Sequence, residues 1–155
     1  MKRSFLFLVI SLAATLLRGQ TAMTFDTARE RAISITRLDS VYKSGIHADS
    51  TQAVFKNSQE QYIAAYQKLL QDLGRYLKEN GFVWEKPVKG FNRIYFDKDG
   101  RIDYFLYNFR AGQLSAEQEK RFDVLLNSFI KTYRFPLTAE VKFAQCSPVT
   151  YVPAK

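Results

Sequence analysis

The chain has 155 residues, 46% of them hydrophobic and 15% aromatic, with 23 Lys and Arg against 15 Asp and Glu for a formal charge of +8. That length and apolar content suffice for one domain with its own core. The cations are scattered, without a basic block, which argues against a nucleic-acid footprint. One cysteine, Cys146, and one histidine, His47, exclude an internal disulfide and leave a typical zinc site short of ligands.

The chain opens MKRSFLFLVISLAATLLRGQ. Lys2 and Arg3 precede an uncharged, mostly apolar segment from Ser4 to Leu17, shorter than the roughly 20 residues that span a bilayer. This is the pattern of a secretory signal peptide, expected over residues 1–19 with cleavage before Gln20, or alternatively within Thr21 to Met23. Lys2, Arg3 and Arg18 leave with it, so the charge falls from +8 to about +5. The destination is periplasmic or secreted, with no transmembrane segment after signal removal. Residues 20–155 carry no repeat and no Pro/Gly linker and read as a single α+β domain.

Thr27 and Glu30 have capping-box spacing, and Ala28, Ala32, Ile35, Leu38 and Tyr42 recur at helical period, which predicts a helix over 27–44. Asp49 and Gln52 mark a second start. They open an amphipathic helix over 50–79 whose wide stripe runs through Phe55, Tyr62, Ile63, Tyr66, Leu69, Leu70, Leu73 and Leu77 to Asn80-Gly81, a common left-handed stop. Two helices joined by a short loop form an α-hairpin. The width of the second stripe requires burial against something.

The second half reads β-β-α-β. In FNRIYFDKDGRIDYFLYNF, two strands (91–97 and 101–109) flank Lys98-Asp99-Gly100, the composition of a type I turn closed by a left-handed glycine. In the register that pairs Phe96 with Ile102 and Ile94 with Tyr104, one face carries Ile94, Phe96, Ile102, Tyr104 and Leu106. The other carries Phe91, Arg93, Tyr95, Asp103, Phe105 and Tyr107. Ser115 and Gln118 start a helix over 116–133 with Phe122, Leu125, Leu126, Phe129, Ile130 and Tyr133 on one face. Pro136 closes it, and TAEVKFAQC alternates as a half-buried strand over 138–146. The expected fold is α+β: an N-terminal α-hairpin, then a β-β-α-β unit whose three-stranded antiparallel sheet has helix 116–133 on one face and the α-hairpin on the other.

DKDG is not a calcium loop: Gly100 is fourth from Asp97, where the EF loop needs its glycine sixth, and Asn108 holds the place of the bidentate Glu. The face carrying Arg93, Tyr95, Asp103, Phe105 and Tyr107 has two readings. Either the N-terminal helices cover it, or its aromatics stack on a peptide or glycan while the charges fix orientation. A Cys146–His47 pair or a pair of carboxylates would instead make a small exported hydrolase. No phosphate loop, nucleophile elbow or dinucleotide fingerprint is present, and no metal or cofactor is expected.

The order strand, Asp99-Gly100 turn, strand, helix 116–133, Arg134-Phe135-Pro136 and a final strand from Thr138 resembles the C-terminal domain of TonB-like proteins over residues 91–146. The segments FNRIYF, DGRIDYFLYNF and FAQCSPV, with the Gly-Gln signal ending, also resemble secreted proteins of the Bacteroidetes type. The TonB resemblance implies a non-catalytic binding or adaptor module of the cell envelope, with an envelope protein, peptide or glycan as partner. This chain has neither the family's Pro-rich linker nor a counterpart there for its helical first half. A homodimer through a sheet edge or a Cys146 disulfide is a further expected assembly.

Overall fold

The computed structural model describes residues 19–153, so the expected signal peptide, but for Gly19, lies outside the described residues. In chain order the elements are β1 (Thr21–Thr24), α1 (Phe25–Glu30), α2 (Ile35–Val41), β2 (Lys43–Ser44), a 3-10 turn (Ser50–Gln52), α3 (Gln59–Glu79), β3 (Val88–Phe96), β4 (Ile102–Phe109), α4 (Ala116–Thr132) and β5 (Phe143–Tyr151). The fold is α+β. Among the described residues no helix is long and apolar enough to cross a membrane.

The sheet has five strands in the order β1-β4-β3-β5-β2. The central β4-β3-β5 portion is antiparallel, while β1 joins β4 and β2 joins β5 in parallel. The expected three-stranded antiparallel sheet is therefore the middle of a mixed one. Both added strands are too short, at four and two residues, for alternation to reveal them. β1 is held by Asn127 of α4, whose side chain accepts from Ala22 N–H (2.9 Å) and donates to Ala22 C=O (3.0 Å).

The expected α-hairpin is not formed. The helix predicted over 27–44 breaks at Ala32, which takes a left-handed φ of 55°. Ile33 N–H bonds Ala28 C=O (2.9 Å) and Ala32 N–H bonds Arg29 C=O (3.0 Å), the Schellman closure usually marked by glycine. The N-cap of α1 is Thr24, which accepts from Thr27 N–H, so Thr27 and Glu30 lie inside the helix. Asp49 caps only the 3-10 turn, through Thr51 N–H, and α3 starts nine residues later than the pattern predicts. Its end follows the Asn80-Gly81 signal: Gly81 has φ 75° and Phe82 N–H returns to Leu77 C=O (2.9 Å). α4 carries the full Ser115–Gln118 capping box.

α3 and α4 lie on the same face of the sheet, against the expectation that they sandwich it. Tyr62, Leu69, Leu73 and Leu77 of α3 and Phe122, Leu126 and Ile130 of α4 share one core with Ile94, Phe96, Ile102, Phe105, Tyr107 and Phe143. The opposite face carries a smaller cluster, with Met23, Ala28, Tyr42, Tyr95, Leu106 and Ala144 packed by Phe25, Ile33, Ile35 and Leu38. This second cover is the α1–α2 segment.

The hairpin turn closes with Asp97 N–H on Arg101 C=O (2.8 Å) and Gly100 at φ 79°. A bulge then changes the register: Phe96 pairs with Ile102 but Tyr95 pairs with Tyr104, leaving Asp103 unopposed. Every residue of β4 beyond it changes face. The core face holds Ile94 and Phe96 with Phe105 and Tyr107, where Tyr104 and Leu106 were expected. The final strand covers 143–151 in place of 138–146. Residues 138–142 instead form a loop in which Ala139 N–H bonds Lys98 C=O (3.0 Å).

Candidate functional site

The five residues singled out by the sequence do not share one face. Phe105 and Tyr107 are buried in the helix-covered core, where the Tyr107 hydroxyl donates to Asp123 (2.9 Å). Arg93 and Tyr95 lie on the opposite face under α2. There the Arg93 guanidinium donates to Asp39 Oδ2 (2.8 Å) and the Tyr95 hydroxyl to Asp39 Oδ1 (2.9 Å). Asp103, at the bulge, accepts from the Tyr42 hydroxyl (2.6 Å) and Lys142 Nζ (2.8 Å). These polar groups latch α1–α2 onto the sheet. Burial pushes the Tyr95 hydroxyl up, and its bond to Asp39 adds to the shift.

Cys146 is exposed, opposite Arg93 in the β3–β5 ladder. Partial burial of its sulfur against neighbouring side chains pushes the thiol up, and the adjacent Arg93 guanidinium offsets this only in part. A nucleophilic cysteine needs the reverse shift. His47 Nδ1 is engaged by Asp49 N–H (3.0 Å). In the DKDG turn, Asp97 Oδ1 accepts the N–H groups of Asp99 (3.0 Å) and Arg101 (2.8 Å), so its carboxylate serves the turn.

A different region forms a large concavity. α3 runs along the outer side of the core beside β5, and the two diverge to leave a groove of about 880 Å³, within the range of small-ligand sites. One wall is the α3 flank with Ile63, Gln67, Leu70, Gly74 and Lys78. The other is β5 and its extension, with Ser147, Val149, Tyr151 and Val152; Phe82, Val83 and Trp84 close one end. The wall is interlocked at depth by ring contacts and hydrogen bonds. Trp84 stacks on Tyr151 with ring centroids 4.7 Å apart and 12° between planes, Tyr151 and Asn92 exchange hydrogen bonds (2.9 and 3.3 Å), and the Tyr66 hydroxyl meets Ser147 Oγ. Burial pushes the Tyr151 and Tyr66 hydroxyls up, which keeps these bonds between neutral groups.

The groove is apolar and partly open. Ile63, Val83 and Val152 are 42%, 69% and 60% exposed and all line it. They make up half of the large hydrophobic side chains exposed among the described residues, and clustering of this kind is a general feature of interaction surfaces. Lys78 is the only charged side chain lining it among the described residues. The sequence holds one trace of this site: Ile63 and Leu70 make the apolar stripe of α3 too wide for a single contact. Nothing in the pattern says that the excess faces a groove.

No family model, no curated protein and no solved structure matches the chain.

Proposed function

We propose that the protein is a non-catalytic binding or adaptor module of the cell envelope, periplasmic or secreted, and that its ligand occupies the groove between α3 and β5. The observation that carries this reading is the groove itself, an apolar concavity over the stacked Trp84 and Tyr151 rings, rimmed by exposed valine and isoleucine. Export is supported by the basic n-region and the apolar run from Ser4 to Leu17. The likeness to TonB C-terminal domains rests on the β3-turn-β4-α4-β5 order and on the antiparallel pairing of those three strands.

Two measurements test it. A fluorescent hydrophobic dye is expected to bind the purified protein saturably at one site, and Ile63→Glu, on the exposed rim, is expected to abolish that binding without changing the circular dichroism. Binding that is unsaturable, or indifferent to Ile63→Glu, rejects the groove. Fractionation of the native host is expected to recover the protein from the periplasm or the medium; recovery with the cytosol rejects the location.

A further inference from the structure

The groove has three properties that, taken together, specify a ligand. The first is Gly74, in the interior of α3, where glycine is a poor helix former. Its φ lies outside the left-handed region, and a Cβ built there meets nothing within 4 Å. Neither backbone geometry nor packing within the chain therefore calls for glycine. What its absent side chain provides is a bare stretch of helix in the groove wall, where an occupant can approach the backbone closely.

The second is charge. Lys78 is the one charged residue in the lining, and its ammonium makes no hydrogen bond or ion pair among the described residues. Gln67, Gln71 and Gln145 add only neutral amides. One unpaired ammonium at the end of an apolar trough complements one anionic group at the end of an apolar chain. From Ile63 to Lys78 is fifteen residues of helix, about 22 Å at 1.5 Å per residue. A bilayer's hydrocarbon core is about 30 Å thick, so a single acyl chain needs about half that length, and the trough also leaves room for its headgroup.

The third is the edge of β5. Lys43 N–H bonds Lys142 C=O and Gly45 N–H bonds Ala144 C=O (both 2.9 Å), so alternation turns the backbone groups of residues 146, 148 and 150 toward the same edge. Pro148 has no N–H to offer, and the Cys146 carbonyl already accepts from Gln145 Nε2 (3.1 Å). A peptide adding itself as a strand would find this edge blunted. An acyl chain needs no backbone partner.

We propose that the groove seats a long-chain fatty carboxylate, the acyl chain lying along α3 over Gly74 and the carboxylate paired with Lys78. This rests on the groove being the binding site, and the test separates the two claims. The purified protein is loaded with a hydrophobic dye and titrated with palmitate, with hexadecanol (the same chain without charge) and with phosphatidylglycerol vesicles. Palmitate is expected to displace the dye at one equivalent. Lys78→Gln is expected to weaken palmitate about ten-fold or more and to leave hexadecanol unchanged. Gly74→Leu, which adds a helix-favouring side chain to open space, is expected to keep the fold and to abolish both dye and palmitate binding. Dye binding that survives Gly74→Leu overturns the groove reading and this proposal with it. Dye that is lost in Gly74→Leu but not displaced by palmitate leaves the groove standing and overturns the fatty carboxylate. So does equal affinity for hexadecanol, indifference to Lys78→Gln, or displacement by phosphatidylglycerol vesicles alone.

Discussion

Phe122 of α4 and Tyr95 of β3 lie on opposite sides of the same sheet, in two different kinds of interior. Around Phe122 the rings of Phe82, Trp84, Tyr107, Phe109 and Tyr151 lie with centroids 5.0–5.9 Å away, under two helices of 21 and 17 residues. Around Tyr95 the cover is two helices of six and seven residues, fastened by the Asp39 and Asp103 bonds. Long helices cover by apolar area, at about 25 cal/mol for each Å² removed from water. Short ones bury too little and need polar latches. The groove appears on the better-covered face, because α3 and α4 together do not reach across β5.

The contrast can be broken by experiment, and the largest expected effect is alkaline. Burial pushes the hydroxyls of Tyr62, Tyr107 and Tyr151 up from an ordinary value near 10, and Tyr133 is pushed up to about 12 by burial, with Asp72 adding to it. The folded state holds these protons more tightly than the unfolded one. Stability is therefore complete below about pH 10 and is lost as pH rises from there toward the folded values. Tyrosinate absorbance and circular dichroism are expected to change together. Tyrosinate forming well before the helices melt would mean that the aromatic face is not closed. Next comes Phe122→Ala, expected to cost about 3–5 kcal/mol in urea unfolding with an unchanged m-value. A loss below 1 kcal/mol would erase the difference between the faces.

On the thinly covered side the effects are smaller. Ala32→Gly removes the strain of a left-handed alanine and is expected to stabilise by about 1 kcal/mol; a destabilised variant would show that α1 does not end as described. Arg93→Ala is expected to cost about 0.2–1 kcal/mol, because its partner Asp39 is 45% exposed. A cost like that of Phe122→Ala would make the latch, and not the helices, the principal support of the sheet.

What the sequence shows of this molecule follows local chemistry. The capping box at Ser115, the apolar face of α4, the stop at Gly81 and the turn at Gly100 each depend on residues within a few positions, and each is legible. The break at Ala32 was hidden because alanine there takes the conformation glycine usually signals. The alternation of β4 favours the unbulged register, and the bulge at Asp103 is hidden because its partners Tyr42 and Lys142 are distant in sequence. The last strand is displaced because the alternation of Ala139, Val141 and Phe143 reads as strand, while the bond that holds 138–142 as a loop, Ala139 N–H to Lys98 C=O, is distant in sequence. Pro148 is tolerated in β5 because its ring nitrogen faces an edge that no strand occupies among the described residues. Of the site, only the excess width of the α3 stripe was visible.

The strand order has one more consequence, in time. β1 has no neighbour until β4, some eighty residues later, and β2 waits a further hundred residues for β5. The hairpin tip is likewise fixed by the α4–β5 connection, with Phe135 N–H on Gly100 C=O (2.9 Å) and no room at Gly100 for a side chain beside Phe135. Such distant pairings slow folding relative to a fold built from local contacts. A chain emerging from its N-terminus thus keeps its sheet open, and its first strands unclaimed, until β4 and β5 have been made.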